Sequence, residues 1–395
     1  MDFNFFSPVN DSIVAEAGAK RLGASMRIHS LDNGFPEMEG VKLAFFGVLE
    51  DRLDDNPTGE PFSFDGIRRS FYELFPGNWH LQMADLGDIQ RGETVEDTYF
   101  AVKSVVEELV KQDIIPVILG GSQDLLYAQY RAYDNLDQMV NLVNIDSRFD
   151  LGDADKPIGN RSYIGKIIVD KPYNLFNYSN LGYQTYFNSQ DEIDLMDRLF
   201  FDAYRLGEVT ADISMVEPVM RDANIVGIDM GAVSAGALGN LHSSSPNGFD
   251  GREFCALARY AGISDKVSSF GIYEISSLFN FPSCNMLIAQ TLWYFAEGVN
   301  YRKNENTISA KKEFIKYQVP IDEDVLVFYK SPVSGRWWIE IPFVTGGNNK
   351  LKRHTLLPCT HDDYLEACNQ VLPKDGIKQN EKMKFKYIFD IKLLV

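Results

Sequence analysis

Two patterns alternate along the chain. Short runs with almost no polar residue occur at 41–48 (VKLAFFGV), 114–121 (IIPVILGG), 140–146 (VNLVNID), 224–229 (NIVGID) and 268–275 (SSFGIYEI). Strands buried on both faces of a sheet read this way, whereas half-exposed strands alternate apolar and polar positions. Between the runs, apolar positions recur at helical spacing over 95–111, 122–133, 215–223, 252–262 and 285–297, which predicts amphipathic helices. Alternation of this kind argues for an α/β fold, a three-layer α/β/α unit around a mainly parallel sheet.

Ligands of such sheets sit at the carboxyl ends of the strands. Three of the runs end in polar clusters: GGSQD at 120–124, DSRFD at 146–150 and DMG at 229–231. If these strands are neighbours, their tips converge on one place. After about Asn300 the pattern changes. Residues 324–343 read as a β-hairpin whose turn carries Pro332 and Gly335, residues that suit a bend between strands. A helix is expected at about 361–371, capped by Thr360, with Asp362 and Asp363 suiting its dipole. The tail KMKFKYIFDIKLLV (382–395) alternates basic and apolar residues as a strand could. The chain thus divides into a lead at 1–40, an α/β domain at 41–300 and a C-terminal extension at 301–395.

Composition narrows the function classes. The net charge of −18 repels phosphate backbones and anionic membrane surfaces. No basic segment followed by an apolar run opens the chain, and no stretch reaches the roughly 18 apolar residues of a membrane span. A cytoplasmic protein without nucleic-acid binding or membrane insertion is the expectation. Cys255, Cys284, Cys359 and Cys368 form no CxxC pair and read as reduced thiols. No phosphate-binding glycine motif and no Gly-x-Ser-x-Gly elbow is present.

Taken in order, GGSQD, NIDSRFD (144–150), VGIDMG (226–231) and IYEIS (272–276) resemble the motifs of the ureohydrolases: arginase, agmatinase and formimidoylglutamase. FFGVLEDR (45–52), GIRRSFYELF (66–75), ADLGDI (84–89) and PNGFDGREF (246–254) add to the likeness, which covers roughly 41–300 and leans to the formimidoylglutamase-like branch. The resemblance implies an arginase-like fold and hydrolysis at a guanidinium or formimino carbon by two Mn2+ ions.

The six metal ligands that it implies, two His and four Asp, carry over incompletely. The first His falls on Gln123 and the second on Arg148. Asp146, Asp150 and Asp229 are kept, and the fourth Asp falls on Gly231. The family's catalytic His would come from GNRSYIG (159–165), which contains none. Glu274 matches the acid that contacts the substrate, although a structural acid would look the same.

One ion position thus keeps three carboxylates and an amide oxygen, a fit for a hard cation. At the other, Arg148 is expected to pair with Asp146 and Asp229 in place of the metal. These departures lead to the expectation of a non-catalytic arginase-fold scaffold. It would need no cofactor, with Mn2+ only at a residual site of Asp146, Asp150 and Asp229. It would bind a partner protein through the hairpin and the tail, where Tyr329, Trp337 and Trp338 cluster, unless these rings pack onto the main domain; a homo-oligomer stays open. The alternatives are a single-metal C–N hydrolase of formimidoylglutamate-like or guanidino substrates, and a sensor that keeps the cavity.

Overall fold

The computed structural model describes residues 4–136, 138–153, 155–240, 245–305, 312–321, 324–340 and 356–371. Among the described residues, ten strands build the main sheet. They are β1 (Phe6–Ser7), β2 (Arg27–Ile28), β3 (Leu43–Val48), β4 (Met83–Ile89), β5 (Ile115–Gly120), β6 (Val140–Ile145), β7 (Leu175–Tyr183), β8 (Asp202–Arg205), β9 (Ile225–Asp229) and β10 (Ser269–Tyr273). Their order is β1-β4-β3-β5-β10-β9-β6-β7-β8, with β2 also on β4. Every pairing is parallel except β1 with β4. Residues 4–40 therefore contribute two short strands to one edge of the sheet.

The apolar runs form strands because helices cover both faces. Leu43, Phe45, Val117, Leu119, Val226 and Ile228 enter one core cluster, while Ala44, Phe46, Ile118 and Ile225 enter the other. The period of two in a strand thus divides each run between two cores. The first core is closed by helices Asp65–Tyr72, Val216–Asp222, Gly251–Ile263 and Pro282–Asn300. The second is closed by Val95–Lys111, Leu125–Arg131 and Tyr163–Val169. Capping boxes start two of these helices, Thr94 with Asp97 and Asp250 with Glu253. Helices Gly251–Ile263 and Pro282–Asn300 cross at two glycines. A Cβ on Gly262 would lie 2.3 Å from the Phe295 carbonyl oxygen and 3.0 Å from the Gly298 Cα.

The expected hairpin is present and belongs to a larger unit. Strands β11 (Ile315–Ile321), β12 (Asp324–Lys330), β13 (Trp337–Glu340) and β14 (Leu356–Cys359) form a four-stranded antiparallel sheet. The helix His361–Cys368 follows, with Thr360 and Asp363 forming its capping box. Tyr329, Trp337 and Trp338 are 7%, 6% and 7% exposed, so these rings form no open docking surface. Trp337 packs in a core with Phe328, Ile339 and Phe176 of β7. Arg221, buried on helix Val216–Asp222, ties the two sheets together. It donates to the carbonyls of Trp337 (2.9 Å) and Cys359 (3.1 Å), and its Cζ lies 4.5 Å from the Trp338 ring centre. The tail 382–395 lies outside the described residues. No helix among the described residues is long and apolar enough to cross a membrane.

Candidate metal centre

Strands β5, β10, β9 and β6 are consecutive neighbours, so their carboxyl ends meet as the polar clusters suggested. Gln123 follows β5, Glu274 follows β10, Asp229 ends β9 and Asp146 follows β6. Asp150 joins from the next loop. Asp150 and Glu274 both carry left-handed backbone, with φ of 52° and 60°. Such geometry is uncommon outside glycine and concentrates at functional sites.

Asp146, Asp150 and Asp229 each offer a carboxylate oxygen, and these oxygens lie within 4.8 Å of one another. All three residues are 3% exposed or less. Asp146 accepts from the Arg148 backbone N–H (2.9 Å) and from Asn144 Nδ2 (3.1 Å). Asp229 accepts from the Gly231 N–H. Neither oxygen of Asp150 has a hydrogen-bond donor. Gln123 donates through Nε2 to Asn144 Oδ1 and Tyr163 Oη, both at 3.1 Å, while its buried Oε1 has no donor. Buried oxygens without donors are costly unless a cation takes them. The three carboxylates form a hard-oxygen donor set that fits one divalent cation.

The electrostatics point the same way. Burial, then the neighbouring Asp150 and Asp229, push the Asp146 carboxyl well above its usual range. Asp150 is raised by burial, against the opposing charge of Arg161. Glu274 is raised well above its usual range by burial and by the charges of Asp229 and Asp54. Its Oε1 is held by the Gln123 backbone N–H (2.9 Å) and Asn160 Nδ2 (3.2 Å).

The resident positive charge is not the expected one. Arg148 makes no ion pair with Asp146 or Asp229. Its Nη1 donates instead to the Phe187 carbonyl (3.0 Å), and its Cζ sits 4.5 Å from the Phe187 ring centre. Only its backbone bonds to Asp146, and the side chain turns to Phe187. Arg161, from GNRSYIG, takes the place assigned to Arg148. Its Nη1 lies 3.3 Å from Asp229 Oδ2 and 3.6 Å from Asp150 Oδ1, and its Nε lies 3.9 Å from exposed Asp55. The signal for it was an arginine in the segment where the family carries a histidine. At Gly231, a Cβ would lie 2.9 Å from Asp229 Oδ1, so a side chain there would crowd that carboxylate. A cavity of about 590 Å3 opens over the cluster, with Arg148, Arg161, Asp229 and Glu274 among its walls.

Residues 41–296 match the Arginase family. The chain belongs to the arginase family. Among its relatives is a formimidoylglutamase of Streptococcus gordonii, 23% identical over 267 residues, covering 62% of this chain and 80% of that protein. A formimidoylglutamase of Geobacillus thermodenitrificans is 26% identical over 293 residues, covering 67% and 86%. The crystal structure of Trypanosoma cruzi formiminoglutamase with Mn2+ shares the fold at a TM-score of 0.61 and 15% identity, covering 71% of this chain and 99% of that one.

Two expectations are corrected by these findings. A non-catalytic scaffold is not supported, because the relatives are named as enzymes, and a partner-binding role loses the aromatic hairpin surface assigned to it. The expected lack of a cofactor is also not supported. A structural relative was determined with Mn2+, and this arginase-family chain retains a buried carboxylate cluster that fits such an ion.

Proposed function

We propose that this chain is a divalent-cation-dependent hydrolase of C–N bonds in linear amidines, acting on a formimidoylglutamate-like substrate. The observation that carries the reading is the buried triad Asp146, Asp150 and Asp229, with both Asp150 oxygens lacking a donor. Asp146, Asp150 and Asp229 would hold the ion, with Gln123 Oε1 as the neutral donor nearby. When bound, the cation supplies the positive charge that makes water acidic enough to attack at neutral pH. The names and coverage of the relatives support the substrate class.

The chain's own residues divide the remaining work. Glu274, buried and fixed by Gln123 and Asn160, faces the cavity as an acceptor for amidine N–H groups. A cationic amidinium beside it offsets the burial that raises its pKa and so favours its ionised form. Arg161 balances the charge of Asp150 and Asp229 and stands at the rim, about one-third exposed. With Arg148 and Gly231 at two ligand positions, one ion is the expected number. None of the four cysteines is in a disulfide, which accords with a reducing compartment such as the cytoplasm.

A substrate panel tests the reading. Protein stripped with EDTA and reloaded with Mn2+ is incubated with N-formimidoyl-L-glutamate, L-arginine and agmatine, and formamide, ammonia and urea are quantified. Release from the formimidoyl compound, abolished by Asp229→Asn, supports the reading. No release from any of the three at saturating Mn2+ overturns it.

A further inference from the structure

The cavity over the carboxylate triad is lined by charges of both signs. Asp54, Asp229 and Glu274 are its acids, while Arg148 and Arg161 bring two guanidinium groups. Arg161 is engaged with Asp150 and Asp229. Arg148 is in contact with no acid, although its charge acts on Asp150 from across the wall. Among the described residues it forms no ion pair, and its Nη1 is bound only to the Phe187 carbonyl. Its Nε and Nη2 have no acceptor among those residues. The guanidinium is nevertheless held in place, by that carbonyl and by the Phe187 ring 4.5 Å from its Cζ. Arginine stacked on an aromatic ring keeps its plane fixed. Five N–H donors in a planar fork match a carboxylate in two-point contact.

In a chain with 56 acidic and 38 basic residues, an arginine that makes no ion pair among the described residues and lies on a cavity wall calls for an anion from outside. We propose that Arg148 is the specificity-determining residue of this site: it binds a carboxylate of the substrate and thereby selects amidines with an anionic tail over amidines with a cationic one. The inference rests on the hydrolase reading above and goes beyond it by assigning the residue that discriminates between tails. Charges of both signs in one cavity fit a zwitterionic ligand, with its amidinium toward Glu274 and its carboxylate toward Arg148. A second cationic group, as in agmatine, would meet Arg148 with like charge, and repulsion of this kind is a common source of specificity. Phe187 acts as the positioning residue, since its carbonyl and ring set the plane of the fork.

Binding and turnover are measured separately on Mn2+-loaded wild type, Arg148→Gln and Arg148→Lys. L-Glutamate supplies the carboxylates without an amidine, and formamidine supplies the amidine without a carboxylate. In Arg148→Gln, calorimetry should show at least about a tenfold loss of L-glutamate affinity, the scale of one charge-assisted hydrogen bond. The KM for N-formimidoyl-L-glutamate should rise by a similar factor with kcat nearly unchanged, and formamidine turnover should stay the same. Arg148→Lys should recover part of the affinity, because the charge remains but the fork is lost. If wild type turns over neither amidine yet binds L-glutamate through Arg148, the hydrolase reading fails and the carboxylate site stands. No L-glutamate binding by wild type, or equal affinity in wild type and a folded Arg148→Gln, overturns the proposal.

Discussion

Arg161 is the most informative residue to perturb, because it and a metal ion compete for the same carboxylates. The substitution Arg161→Met keeps the aliphatic stem and removes the charge. At 3.3 Å from Asp229, the gross Coulomb energy at an effective dielectric constant near 20 is about 5 kcal/mol. The arginine side chain is 36% exposed, so solvent screening reduces the net loss to about 2–3 kcal/mol. For a chain of 395 residues, an unfolding entropy of about 2.1 cal/mol/K per residue gives about 0.8 kcal/mol/K. The melting temperature in EDTA should therefore fall by about 3 K. Mn2+ at a hundred times its Kd adds about 2.7 kcal/mol to any protein that binds it only when folded. At one fixed Mn2+ concentration the variant should gain more than wild type, because its triad lacks the competing guanidinium and its Kd for the ion is lower. Differential scanning calorimetry of both proteins in EDTA and in Mn2+ reads the outcome, and the gap between them should shrink or reverse with the ion. An equal gap in both conditions would show that Arg161 and the metal do not share Asp150 and Asp229, and the charge-compensation argument would fail.

Three further outcomes follow from the packing around the site. Arg221→Met leaves the carbonyls of Trp337 and Cys359 without their charged donor; a loss of about 3–5 kcal/mol is expected in urea unfolding, with faster proteolysis of the C-terminal sheet. Gly298→Ala places a Cβ 2.7 Å from the Arg259 carbonyl oxygen, and forcing the two helices apart should cost about 1–3 kcal/mol by the same assay. Glu50 is fully buried; burial raises its pKa, but hydrogen bonds from Arg52 and Thr98 outweigh this and hold it below its ordinary value of 4.5. A depressed value stabilises the fold above the unfolded pKa, near 4.5, and that stability is lost as pH falls through the folded value. Glu50→Gln should thus lower stability at pH 7 by about 1–3 kcal/mol and flatten the decline below pH 4.5.

Much of the fold was legible because β3, β5, β6, β9 and β10 are mostly apolar and buried on both faces, with Asn141 and Asn144 of β6 among the exceptions. β4 and β7 were missed because polar residues interrupt them. In β4, Asp85 and Asp88 are neutralised by buried Arg68 at 3.0 and 2.8 Å. In β7, Asn177 and Ser179 bond to Asp202 of β8. Neither partner can be paired with its acid or amide from local sequence. Asp146, Asp150 and Asp229 were legible because they flank strand ends. Arg148 was assigned the wrong neighbours because closeness to Asp146 in sequence suggests a side-chain pair. The turn instead satisfies Asp146 through the Arg148 backbone N–H and sends the guanidinium to Phe187. Arg161 reaches the triad only because the loop after β6 folds back over the strand ends, a tertiary fact without a local pattern. The aromatic hairpin looked like a docking surface because the partners that bury it, Phe176 and Arg221, come from distant segments.

Whether a divalent cation on Asp146, Asp150 and Asp229 makes this chain an amidine hydrolase is decided by titrating Mn2+ into EDTA-stripped protein while following formamide release from N-formimidoyl-L-glutamate. The rate should rise from the background and saturate at about one ion per chain, and should stay at the background in Asp150→Asn. Calorimetric binding of the ion without any rise in rate, or a rate that ignores the ion, would contradict the hydrolase reading.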